Sequence, residues 1–167
     1  MAGVLNPLRA WRRLRHEKGF GIHSPFAYNF ITEVIHQQYA YYAYDSIRDG
    51  FGRLVFRVAV ALQPRRAAVY GLPEWSAALK AASSKMVIAQ KRPELVVADL
   101  KAVSADERRQ IMEAVGAGAS LIARHCSAAD RIEAQRLMPQ GMTFANGSGT
   151  LIAVAGKLPR QDFDVRF

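Results

Sequence analysis

From Ala67 to Ala155 short apolar runs alternate with helical patterns, and this alternation constrains the fold more than any other feature of the chain. The predicted strands are 67–70, 86–89, 94–98, 119–123, 142–145 and 149–155, and the predicted helices are 74–83, 104–115 and 127–137. Leu95-Val96-Val97-Ala98 and Leu121-Ile122-Ala123 are apolar at every position. A strand with one wet face would alternate polar and apolar residues, so these runs call for helices on both faces of a sheet. Strand–helix alternation then gives an α/β layered fold with a mainly parallel sheet. Asn146-Gly147 is a hairpin signal and makes the last two strands antiparallel.

Local signals fix several ends. Ser24 is a suitable N-cap and Pro25 suits the first helical position, so a helix begins there and runs to about Gln38. Its predicted buried stripe is Phe26, Phe30, Ile31, Val34 and Ile35. A further helix extends from about Asp45 or Phe51 to Leu62 and is closed by Pro64. Ser104 with Glu107 forms a capping box, Gly116 is the expected stop of that helix, and Ser127 caps the next. Between the first two of these helices lies Tyr39-Ala40-Tyr41-Tyr42-Ala43-Tyr44. With Arg48 and Arg53 it reads either as a half-buried contact between helices or as a surface on which bases stack.

One connection departs from the pattern. Only Gln90-Lys91-Arg92-Pro93 separates the strand ending at Ala89 from the one beginning at Glu94. A parallel crossover between neighbouring strands needs a dozen or more residues, usually with a helix. Either the two strands are not sheet neighbours or one is not a strand, and the short link reads as the scar of a lost helix–strand unit.

Charge is unevenly placed. Residues 1–92 hold 14 Lys and Arg against 5 Asp and Glu, whereas residues 93–167 hold 9 of each. Val4, Leu5, Leu8, Trp11 and Leu14 form one helical stripe flanked by Arg9, Arg12, Arg13 and Arg15, with Lys18 following. This basic amphipathic segment reads either as a terminal helix packed on the domain or as an anchor for a polyanion. RNA, a ribosomal particle, an acidic protein surface and an anionic membrane are the partner classes that such charge fits. Cys126 is the single cysteine, which excludes an internal disulfide framework and fits a reducing, cytoplasmic setting. No apolar run is long enough for a spanning helix, and the charged start does not resemble a secretory leader. Nothing in the pattern indicates an oligomeric state.

The segment Val69-Tyr70-Gly71-Leu72-Pro73-Glu74-Trp75 runs from a strand into an alanine-rich helix, the place where nucleotide-binding folds carry a glycine-rich cradle. Together with Gly21-Ile22-His23-Ser24-Pro25-Phe26, Arg53-Leu54-Val55-Phe56-Arg57, Gln63-Pro64 and the closing 158–167, it resembles class I S-adenosylmethionine-dependent methyltransferases. The likeness is to a Bacteroidetes-type bacterial group that opens with a histidine-serine-proline-phenylalanine segment. The resemblance implies a Rossmann-like domain over 65–167, preceded by a basic helical segment over 1–64 packed on it as one unit. It also implies a cofactor at the carboxyl ends of the strands. Gly71 falls on the first glycine of the family's cofactor loop, Gln90 on its ribose-binding acidic position, and Asp99 on the acidic position after its fourth strand. Arg124-His125 falls near an acidic pair at the end of the fifth.

The departures decide the functional expectation. Further glycines after Gly71 are missing, and Pro73 removes a backbone donor. Gln90 in place of a carboxylate forgoes charge-assisted hydrogen bonds, on the order of 1.5–3 kcal/mol. Arg and His where acids are expected do not hold a hard divalent cation, so no metal is expected. His125-Cys126 is a poor base–nucleophile pair, because neighbours at a strand end point to opposite sides. The chain therefore reads as a degenerate methyltransferase-like protein with S-adenosylmethionine binding weakened and catalysis lost or weak. The alternatives are a non-catalytic basic scaffold for RNA, a ribosome or another acidic partner, and an active methyltransferase completed by a partner.

Overall fold

A computed structural model describes residues 23–167. Helix α1 (Pro25–Asn29) passes into a wider π turn (Phe30–Ile35). After a 3-10 turn (Tyr42–Asp45) comes α2 (Gly50–Leu62). There follow β1 (Arg66–Tyr70), α3 (Trp75–Ala82), β2 (Val87–Ile88), β3 (Leu95–Asp99), α4 (Ala105–Gly116), β4 (Ser120–Arg124) and α5 (Ala128–Leu137). The chain closes with β5 (Gly141–Ala145), β6 (Leu151–Ala155) and β7 (Gln161–Asp164). The seven strands form one mixed sheet in the order β2-β1-β3-β4-β6-β5-β7. Pairs β1–β2, β1–β3, β3–β4 and β5–β7 are parallel; β6 is antiparallel to both β4 and β5. The fold is thus the expected Rossmann-like α/β arrangement, mostly parallel with an antiparallel hairpin near its end.

Side-chain alternation along the strands sorts the core into two layers. On one face Ala67, Leu95, Val97, Ile122, Phe144 and Ile152 pack with residues of α1, α2 and α3. On the other, Ala68, Val96, Ala98, Leu121, Ala123 and Ala153 pack with α4 and α5. Every residue of β3 and of β5 is buried. Continuous apolar strands therefore have the double cover they require. Phe30 stacks on Phe144 at 4.9 Å and Phe144 on Phe163 at 5.3 Å, so the first helical segment, β5 and β7 share one aromatic ladder.

Most element ends fall where local chemistry places them. Ser24 Oγ accepts from Ala27 N at 3.3 Å with Pro25 at the first helical position. The Ser104–Glu107 capping box is formed, and Ser127 makes a second with Asp130. The first helical segment ends at Ile35 and not near Gln38. Arg57 explains this, donating from Nε to Val34 O at 2.7 Å and from a terminal nitrogen to Ile35 O at 3.2 Å, which satisfies carbonyls that another turn would use. The π turn also redistributes the stripe: Phe30, Ile31 and Ile35 are buried, and Phe26 and Val34 only partly. Gly116 is the last residue of α4; Gly118, at φ +98°, makes the left-handed turn beyond it. The tyrosine cluster forms a loop and 3-10 turn against one helix. Tyr41 and Tyr44 pack edge-on against Phe56, while Tyr39 and Tyr42 face solvent. The hairpin loop spans 146–150, and Asn146 Oδ1 accepts from Ser148 N and Thr150 N.

The short link between β2 and β3 has a simple geometric basis. The two strands lie on opposite sides of β1, so they are not neighbours. Only Val87 and Ile88 pair, opposite Arg66 and Ala67, and Leu95 also lies opposite Ala67. A two-residue strand leaves the chain already level with the start of β3. It has to cross β1 but not run back along the sheet, and the few residues from Ala89 to Glu94 suffice.

Among the glycines of the described residues, Gly141 leaves the least room for a side chain. At φ +144°, a Cβ there would stand 2.1 Å from Val154 O. Gly141→Ala is expected to cost at least about 2 kcal/mol, seen as a lowered urea midpoint at an unchanged slope.

Candidate functional site

In open α/β sheets the ligand crevice lies outside the carboxyl ends of the strands, where connections leave one strand in opposite directions. Here that place is β1, flanked by β2 and β3. Three segments converge on it: Tyr70-Gly71 after β1, Asp99 at the end of β3, and Arg124-His125 at the end of β4.

Asp99 is the hub. It is 4% exposed, and both its oxygens are taken. Oδ2 accepts from Arg124 Nε at 2.8 Å; Oδ1 accepts from Lys101 N at 3.1 Å and from His125 Nδ1 at 2.7 Å. Burial works to raise the Asp99 pKa, but the hydrogen bonds from His125, Arg124 and Lys101 N, with the Arg124 charge, outweigh it and hold the carboxyl below its usual range. His125 takes a left-handed backbone, φ +53°, to reach this position.

Arg124 carries the network further. Its guanidinium lies 4.7 Å from the Trp75 ring centroid and 5.7 Å from that of Phe51. Trp75 is 1% exposed and donates from Nε1 to Asp49 Oδ2 at 3.3 Å. Asp49 in turn caps α2 by accepting from Gly52 N. The helix following β1 therefore opens on a buried tryptophan, not on a row of free backbone donors aimed at a phosphate or adenosyl group.

Gly71 is needed here for packing. Its φ is +105°, and a Cβ on it would meet Asp99 Cβ at 2.9 Å. Gly71 and Gln90 do come together, lining an open recess of about 420 Å³ with Leu72, Pro73, Ser76, Ile88 and Ala89. Asp99 is not among its lining residues. Of the three predicted cofactor positions, two therefore share a recess and the third is consumed by the adjoining ion network. Arg9, Arg12, Arg13, Arg15 and Lys18, the predicted polyanion contacts, lie outside the described residues. Among the described residues no cluster of His, Cys, Asp and Glu could hold a metal ion, and no helix is long and apolar enough to cross a membrane.

The partnership of Asp99 with Arg124 and His125 could not be read from the sequence, although all three were singled out individually. The missing information was the register that sets Asp99 opposite Arg124 across β3 and β4. Trp75 ends the segment after β1, but nothing local marks its contact with Arg124, and Asp49 carries no motif. Cys126 lies apart from this network; burial is the main cause pushing its thiol up to about 12. No family model matches the chain, and no curated protein or solved structure matches it either.

Three outcomes are expected. Arg124→Ala leaves the Asp99 carboxylate buried without its cation and should lower unfolding free energy by about 3 kcal/mol in urea titrations. Asp99 has a folded pKa below its unfolded value, so its contribution is complete above the unfolded pKa and fades as pH falls through the folded one. The stability difference between the native chain and Asp99→Asn should therefore be largest near neutrality and shrink below about pH 4. At pH 8, iodoacetamide should alkylate Cys126 at least about a hundredfold more slowly than a free thiol, because the thiolate is the reactive form.

Proposed function

We propose that this chain is a non-catalytic relative of S-adenosylmethionine-dependent methyltransferases, one that keeps the layered sheet as a scaffold. The observation that carries this reading is the saturated Asp99 carboxylate at the strand-end crevice. A ligand using that carboxylate would have to displace Arg124 or His125. Parting a buried pair costs about 3–5 kcal/mol, which weakens binding by more than ~100-fold. Trp75, wedged under Arg124, reinforces the closure. The short β2–β3 link and Gln90 fit the same history, the loss of one helix–strand unit and of an acidic ribose partner.

On this reading the basic charge of the first half serves the scaffold, whose partner is RNA, a ribosomal particle or another acidic surface. The recess shared by Gly71 and Gln90 supports a second reading, in which a partner subunit supplies the missing wall and restores cofactor binding. Calorimetric titration of the full chain with S-adenosylmethionine, and separately with its demethylated product, discriminates. No saturable heat is expected at high micromolar ligand. Saturable heat would overturn the reading of a lost cofactor site in favour of the second.

A further inference from the structure

The amino ends of β1, β2 and β3 gather cations that the sequence spreads over 28 positions. Arg65 and Arg66 open β1, Lys85 precedes β2, and Lys91 with Arg92 lies in the link to β3. Backbone pairing holds them together: Val87 N donates to Arg65 O at 2.9 Å, and Glu94 N to Arg66 O at 2.9 Å. All five cations are exposed, and none forms an ion pair with another described residue. Glu94 is the acidic residue beside them, and its carboxylate accepts from the backbone N of Arg65 at 2.7 Å. Arg65, Arg66 and Lys85 lie at the end of the sheet opposite the Asp99 crevice, and Lys91 follows Gln90, which lines the recess with Gly71.

We infer that this edge is a docking surface for single-stranded RNA. The inference rests on the scaffold reading and names the partner that such a scaffold would hold. Five unpaired cations with one nearby acid match a phosphodiester backbone. Val87, half exposed, is the large apolar side chain open to solvent on the strand edge, which is too little apolar surface to insert into a membrane interface. The surface is a strand edge with loops and has no helix to project into a duplex major groove, so an unpaired strand fits better. Ser84 is exposed beside Lys85 and can exchange a hydrogen bond with a ribose 2′-hydroxyl. A recess of about 360 Å³ between the ends of α2 and α3, lined by Val60, Gln63, Arg65, Ser83, Lys85 and Met86 among others, gives an unstacked base a seat of mixed polarity beside two of the cations.

Fluorescence anisotropy of a labelled mixed-sequence oligoribonucleotide, titrated with the full chain over a range of salt, tests this. The triple substitution Arg66→Gln, Lys91→Gln, Arg92→Gln should weaken binding about tenfold or more and reduce the slope of log K against log salt by about 2, since each single-strand phosphate contact contributes ~0.7. Lys101→Gln, Arg136→Gln, Lys157→Gln removes the same charge from exposed positions elsewhere and should do neither. If the first triple fails to fold by circular dichroism, Lys85→Gln with Lys91→Gln replaces it, with a slope change of about 1.4 expected. Equal losses from both charge-matched variants, equal affinity for DNA of the same sequence, or binding to phosphatidylserine vesicles that RNA does not compete away would each overturn the assignment. The titration contains no S-adenosylmethionine. Absent RNA binding with silent calorimetry removes this surface and leaves the reading of a lost cofactor site in place, whereas saturable cofactor heat removes that reading.

Discussion

A sheet whose central strands are apolar on both sides can exist only between two layers of helices, and everything else in this molecule is arranged to supply them. Leu95-Val96-Val97-Ala98 alternates its side chains between two separate cores, one under α1, α2 and α3 and the other under α4 and α5. Uncovering either face would expose a continuous apolar surface, about 25 cal/mol for each Å² returned to water. The segment preceding β1 is thus part of the fold's physics: Phe30, Val55 and Leu54 fill the same core as Leu95 and Ile152. The same constraint explains why β7 closes the far edge, where Phe163 extends the stack begun by Phe30 and Phe144.

The carboxyl ends of those strands are where such folds place their chemistry, and here they are filled by the chain itself. A buried carboxylate at the end of β3 must be neutralised where it stands. Arg124 does this and His125 adds a hydrogen bond, and Arg124 then needs a surface for the rest of its guanidinium, which Trp75 and Phe51 provide. The result is a closed network running from α2 through α3 to β4. It is a strong reason for this region to be rigid and a poor reason for it to open to a ligand. The amino end of β1 carries unpaired cations and little acid.

The sequence reading recovered the fold more fully than the site because the two depend on different information. Periodicity within a few residues was enough to place β3, β4, α4 and α5, and caps such as Ser24, Ser104 and Ser127 located helix starts to within a residue. The end of the first helical segment was misplaced by about three residues because a guanidinium from α2 satisfies its carbonyls, a contact across 22 and 23 positions of chain. The hairpin was legible from Asn146-Gly147, but the five-residue loop was not, since Asn146 organises it through bonds to Ser148 and Thr150.

By itself the chain determined an α/β layered architecture, its hairpin, most of its helix caps and the uneven placement of charge. All of these are local in sequence, set by side-chain periodicity and by hydrogen bonds within one turn. Only the tertiary structure decided that β2 and β3 straddle β1, that Asp99 is spent on Arg124 and His125, and that Arg66, Lys85 and Arg92 share one edge. Each of these is a matter of register between distant segments. Register follows from how whole faces pack, which no short stretch of residues encodes.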